Sequence, residues 1–362
     1  FTNKVLHGQM AVIKTGDVCT SLKKEDTPYG TLYTPVFEPK PLQGVTYELR
    51  AHKDIIGKEG TVHYRKDEVI ATKTTDDNGE LIFTDLPLGS YELEQTDAPD
   101  GYEIDSEITV VTLRQKDETR TIVKDKESFF NKWRIPDVTV YKNHEPSFFI
   151  SEEEAQKDVV LGLFTAKDCE LFGFTIPEDS LIAYGGTSDN SFTAPLPFEG
   201  EFYVKELACH PSFALSGQTL TITYENGLVH IPQKTLQNGL KRYSAAVYKY
   251  DERSKKALEN ACFGIFISGK EKPLQTSCSD SSGIARFTEL ELGTYKLEEL
   301  SAPEGYQLHT QRQTITVTEN EDINVLNFPN SRVVPTADPY PNVLGLLAIF
   351  PLAGLLLLKK RL

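Results

Sequence analysis

The sequence predicts an all-β chain, built as three tandem β-sandwich domains and closed by a C-terminal hydrophobic anchor helix. Three observations carry this expectation. One stretch of the chain is written twice. Short alternating segments recur between Gly, Asp and Pro turns. A single long apolar run stands at the C-terminus, followed by basic residues.

The repeat comes first. LGSYELEQTDAPDGY at 88–102 and LGTYKLEELSAPEGY at 292–306 lie 204 residues apart and agree at nine of fifteen positions. The likeness extends upstream. Asp76, Gly79, Phe83, Thr84, Leu86 and Leu88 match Asp280, Gly283, Phe287, Thr288, Leu290 and Leu292 at the same offset. Each copy is expected to open on a short alternating strand ending in a lysine, Ala11-Val12-Ile13-Lys14 and Ala246-Val247-Tyr248-Lys249. Each closes on an aromatic strand ending in asparagine, Phe129-Phe130-Asn131 and Phe328-Pro329-Asn330. A divergent copy lies between them. It opens at Val138-Thr139-Val140-Tyr141-Lys142, has Phe202-Tyr203-Val204-Lys205-Glu206 in the repeated position, and ends at Thr235-Leu236-Gln237-Asn238. The expected boundaries are 8–133, 137–242 and 244–331, with 332–362 as a C-terminal segment of short motif, apolar span and basic tail. Tandem short strands with regular turns fit β-sandwiches.

Composition narrows the function. The chain has 362 residues and a net charge of -15. An acidic surface argues against nucleic acid as a partner. The five cysteines form no CxxC pair and do not make a disulfide framework. They read as free thiols, although Cys262 and Cys278 fall within one repeat and could pair. The seven histidines are scattered without metal-ligand spacing, and no cofactor is expected. Gly264 to Lys270 partly fits a P-loop, but Glu271 replaces the required Ser or Thr. No nucleophile elbow or dinucleotide fingerprint occurs, so the chain is not expected to be an enzyme. The chain opens at Phe1 without Met, which suggests processing or a longer protein.

The repeats place reactive groups together. In residues 293–301, Tyr295, Leu297 and Glu299 alternate, so Glu299 points where two core residues point. A one-residue slip would instead bury Glu298. In an Ig-like sandwich the first and last strands can lie side by side. A lysine amine and an asparagine amide in a dry core can then condense with loss of ammonia. This needs a neutral lysine, which burial favours. It also needs an acid that hydrogen-bonds the asparagine carbonyl and shuttles protons. Set against this, a lysine at a strand end is commonly a solvated residue, and an asparagine after a strand a turn residue.

The pattern G-x-Y-x-L-x-E-x-x-A-P-x-G-Y, flanked by a strand lysine and a strand asparagine, resembles the Cna-B (SpaA-like) domains of Gram-positive pilins and adhesins. The resemblance implies an isopeptide triad at Lys249, Glu299 and Asn330, and another at Lys142, Glu206 and Asn238. In the first copy Lys14 and Asn131 match, but the acid position is Gln95. Glutamine cannot shuttle a proton, so bonds are expected in the second and third copies and not in the first.

The C-terminus adds a second resemblance. Val333-Val334-Pro335-Thr336-Ala337 precedes sixteen uncharged residues (343–358) and the basic tail KKRL. Sixteen residues fall slightly short of the roughly 20 of a membrane span, and the basic stop fits a cytoplasmic end. The order resembles a sortase sorting signal, with Val334, Pro335, Thr336 and Ala337 as the motif; Ala337 stands where that pattern has glycine. The expected function is a wall-anchored structural stalk of an adhesin or accessory pilin on a Gram-positive cell. The implied partners are a sortase, peptidoglycan or pilus subunits, and a host extracellular-matrix ligand bound through an upstream region. The alternatives are a backbone pilin polymerised by a sortase, a plain membrane-anchored surface protein, and a hydrolase bearing these domains as accessories. The first rests on Trp133 to Lys142, which resembles a W-x3-V-x-V-Y-P-K pilin motif but is one residue longer and lacks its proline.

Overall fold

A computed structural model describes residues 7–57, 59–115, 122–320 and 324–333. The described chain is β throughout, with one short helix, Glu152–Gln156, capped by the Ser151 hydroxyl. It divides into two compact units, 1–242 and 243–362. No helix among the described residues is long and apolar enough to cross a membrane. Residues 334–362, with Val334 to Ala337 and the apolar run, lie outside the described residues.

The C-terminal unit is a two-sheet sandwich. One sheet runs Ile284–Leu290, Tyr243–Asp251, Val325–Asn330. The other runs Gln275–Cys278, Cys262–Phe266, Gly293–Ser301, Gln313–Val317. The first strand therefore pairs with the last, in parallel. Strict alternation drives the packing: Tyr295, Leu297 and Glu299 point inward from one strand, as the sequence pattern predicted, while Glu298 points outward. Val247, Phe263, Ile265 and Phe328 fill the space between the sheets and are wholly buried. Cys262 and Cys278 sit opposite each other on adjacent strands and form a disulfide. The free-thiol expectation fails for this pair because cross-strand pairing, which spacing alone does not reveal, brings the two Cβ atoms together. Cys19, Cys169 and Cys209 are free.

The N-terminal unit holds two large hydrophobic cores. One gathers Met10, Val12, Tyr47, Leu49, Phe83, Tyr91 and Leu93. The other gathers Val140, Leu161, Leu163, Phe202, Val204, Ile222 and Leu236. Around the first core, Thr46–Ala51 lies between Val69–Thr74 and Gly89–Asp97, and His7–Thr27 pairs in parallel with Ile122–Asn131.

The opening strand departs from the sequence expectation. It does not stop at Lys14 but runs 21 residues, His7–Thr27, and turns into Gly30–Pro41. Beyond a bulge between Cys19 and Ser21, this hairpin leaves the first core. Cys19, Leu22, Tyr33 and Phe37 pack against the second core instead. Leu32 pairs with Leu181, so one sheet is continuous across both cores. The return strand carries Pro35, Pro39 and Pro41. Proline is tolerated here because the strand carries few pairings on its outer side, where no amide donor is required.

Three buried lysine–carboxamide sites

The three lysines occupy one geometry. On the parallel ladder Lys14 pairs with Phe129, Lys142 with Leu236 and Lys249 with Phe328. In each case the asparagine follows two residues later, at Asn131, Asn238 and Asn330. Two residues along a strand return to the same face, so every lysine and its asparagine face one core. The third member is equally regular. Gln95 pairs with Tyr47, Glu206 with Leu161 and Glu299 with Phe263, each beside a bulge at the preceding step. The structure thus brings together all nine residues in the three predicted sets, in one arrangement.

Backbone contacts fix the lysines. Lys14 N donates to Gly79 O at 2.8 Å and Lys249 N to Gly283 O at 2.7 Å. Both glycines have left-handed backbones, with φ of 68° and 76°. A Cβ at either would stand 2.2 or 2.4 Å from the lysine carbonyl oxygen, so only glycine allows the approach. In the middle segment Asn190, with φ of 58°, accepts from Lys142 N at 2.8 Å. Asparagine tolerates this conformation better than most residues. The repeated Asp-x-x-Gly turn therefore holds the lysine strand.

All three lysines are fully buried. Burial pushes the Lys14 amine down to about 8, opposed by the Asp105 carboxylate, which favours its charge. Burial also lowers Lys142 and Lys249, against the opposing pull of Glu206 and Glu299. Each amine is thereby moved toward the neutral, nucleophilic form. The Lys249 amine lies 4.3 Å from the centre of the Phe328 ring, which excludes water on that side.

The acids touch both nitrogens. Glu299 Oε1 is 2.9 Å from Lys249 Nζ, an ion pair whose alignment falls short of a hydrogen bond. The same oxygen accepts from Asn330 Nδ2 at 3.0 Å, and Oε2 accepts from His309 N at 2.8 Å. Glu206 Oε1 is 3.4 Å from Lys142 Nζ and accepts from Asn238 Nδ2 at 2.8 Å, while Oε2 accepts from Ser216 N at 2.6 Å. The sequence expectation had the acid donating to the asparagine carbonyl. The bond instead runs from the amide nitrogen, because a carboxylate paired with a lysine can only accept.

The first site differs by one group. Lys14 Nζ donates to Gln95 Oε1 at 3.0 Å. Gln95 Nε2 and both amide atoms of Asn131 are buried without a hydrogen-bond partner. Asp105, ten residues after Gln95, holds the position that Ser216 and His309 hold after Glu206 and Glu299. Sequence reasoning missed Asp105 because it lies in a loop with no periodic pattern.

The backbone-pilin alternative meets an obstacle here. Lys142, the lysine of the pilin-like stretch, is enclosed, so its amine does not reach another chain.

The sequence pattern of the SpaA prealbumin-like fold domain matches residues 38–128 and 243–331. Those two segments are SpaA domains. The second match contains a whole lysine–acid–asparagine set, whereas the first begins after Lys14. Three similarities extend the finding. Over 74 residues, 20% of this chain and 14% of the relative, it is 36% identical to the trypsin-resistant surface T6 protein of Streptococcus pyogenes. It is 22% identical to serine-aspartate repeat-containing protein F of Staphylococcus epidermidis over 318 residues, 76% of this chain and 18% of that one. The chain thus spans under a fifth of the length of either curated relative. Among solved structures, the Bacillus anthracis TIE protein shares the fold at a TM-score of 0.55 and 17% identity, over 90% of this chain and 51% of that one. The SpaA pattern leaves residues 129–242 unmatched, but the middle segment repeats the register of its neighbours.

Proposed function

We propose that this SpaA-domain chain is a structural stalk on a Gram-positive cell surface, locked by intramolecular isopeptide bonds Lys142–Asn238 and Lys249–Asn330. The observation that carries this reading is the bridging carboxylate: Glu299 Oε1 contacts both the attacking and the departing nitrogen. Neutral Lys249 Nζ attacks Asn330 Cγ. Glu299 takes a proton from Nζ and delivers it to Nδ2, which leaves as ammonia. The new C–N bond replaces the old one, and the carboxylate ends as it began. Glu206 does the same for Lys142 and Asn238. The reaction occurs once, so it is maturation rather than turnover.

Such a bond ties the first strand to the last and closes nearly the whole fold into a loop. On the chain-entropy account this constrains the unfolded state by about 4 kcal/mol or more, and it is indifferent to redox conditions. Trypsin resistance, in the name of the streptococcal relative, is the property a chain locked in this way would have. Val334, Pro335, Thr336 and Ala337 would serve as the sorting motif, with a sortase and the cell wall as partners.

Intact-mass spectrometry of the chain tests the reading. Two ammonia losses are expected, with Glu206→Ala and Glu299→Ala each abolishing one. An unmodified mass would overturn it, and three losses would show that Gln95 suffices.

A further inference from the structure

The single tryptophan of the chain, Trp133, belongs to none of the three sites. It stands where the two cores of the N-terminal unit meet, with its indole N–H donated to Pro197 O at 2.8 Å. Tyr102 meets it edge-on at 5.1 Å and Phe172 lies 4.8 Å from it, centre to centre. These rings border an open cleft of about 430 Å³. The rest of its wall is largely apolar, with three carboxylates, Asp100, Glu170 and Glu199, and no lysine or arginine.

Phe172 marks the cleft as more than a packing gap. Phe172-Gly173 is the two-residue loop between Cys169–Leu171 and Phe174–Ile176, and both residues have left-handed backbones, with φ of 48° and 81°. Such loops favour Asn or Asp followed by Gly. A phenylalanine there is strained, and the residue is 39% exposed. The chain thus holds a large aromatic side chain in the open, at a cost, on the rim of an acidic cleft.

We propose that this cleft binds an arginine side chain presented by a partner protein. Trp, Tyr and Phe rings attract a guanidinium laid against them. An aliphatic stem covers apolar wall while the charged end reaches carboxylates. Charge complementarity selects a basic partner over an acidic one. Glu199 and Glu170 each spend one oxygen internally, on Gly227 N at 2.8 Å and Thr175 Oγ1 at 2.6 Å, which orients the carboxylates without neutralising them. The binding is independent of the isopeptide chemistry.

Trp133 reports the result directly. Titrating the full chain with a capped Gly-Arg-Gly peptide should change Trp133 fluorescence saturably, and added salt should weaken the effect. The equivalent Gly-Gln-Gly peptide should leave the emission unchanged. Phe172→Ala, and separately the pair Asp100→Asn with Glu170→Gln, should each weaken binding about tenfold, the scale of one desolvated cation–π contact. Both changes sit on exposed side chains, and circular dichroism checks that the fold persists. Equal responses to the arginine and glutamine peptides, no response to either, or a response to a soluble cell-wall saccharide in their place would overturn the proposal.

Discussion

The first and second SpaA repeats build the same site and diverge at one group. Both clamp a buried lysine with a left-handed glycine, both set the asparagine two residues beyond the lysine's parallel partner, and both aim the third residue inward beside a bulge. In the second, a carboxylate joins the two nitrogens. In the first, a carboxamide satisfies the lysine and leaves Asn131 unpartnered. The scaffold therefore delivers proximity in both repeats, while only one has a group that can move a proton. Position and acid–base chemistry are separable here, and mutation can exchange them.

The largest effect is expected from Glu299→Gln, which makes the second repeat resemble the first. One ammonia loss disappears, and urea denaturation of the C-terminal unit shows a drop of about 4 kcal/mol. An unchanged mass loss would mean that burial and register suffice without the acid. The reverse exchange, Gln95→Glu, supplies the missing proton carrier. A third ammonia loss is expected, with a gain in stability smaller than that loss because a new carboxylate must be desolvated. If no third loss appears, the Lys14–Asn131 geometry itself is at fault.

Gly79→Ala and Gly283→Ala probe the clamp that both repeats share. Each forces a Cβ against the lysine carbonyl and should cost about 1–3 kcal/mol by denaturant titration. Only Gly283→Ala should also slow ammonia loss, because only that repeat sets a carboxylate between the two nitrogens. The smallest effect is a pH dependence expected of the first repeat. Burial holds Lys14 at about 8 in the folded chain, against 10.5 for the free side chain. Between those values the unfolded chain binds more protons, so stability rises with pH across this window. Trp133 fluorescence during denaturation follows the N-terminal unit. A lysine already converted to an amide does not titrate, so a flat profile would indicate a bond at Lys14.

Much of this was legible in the chain. The duplicated stretch and the alternation of Tyr295, Leu297 and Glu299 are local patterns, so they exposed the fold and the inward acid. The shared register was not legible, because parallel pairing of first and last strands joins residues 79 or more apart and leaves no local trace. The same is true of the cleft, which assembles Asp100, Trp133, Glu170 and Glu199 from separate segments. The bond between Cys262 and Cys278 depends on two strands lying side by side. The return arm of the long hairpin, Gly30–Pro41, has no counterpart in the duplicated stretch and was not anticipated.

That hairpin bears on how the chain can be cut and recombined. At roughly 3.3 Å per residue its first arm reaches about 70 Å, far enough to begin in one core and finish in the next. Residues encoded before the first repeat's SpaA match thus complete a core assembled some hundred residues later. A truncation or graft at the expected 133/137 boundary would separate Leu22 and Phe37 from the residues they cover, leaving two damaged pieces. The duplicated sequence suggests interchangeable beads, yet the first two are spliced, and inheritance, exchange or engineering of one must carry the other with it.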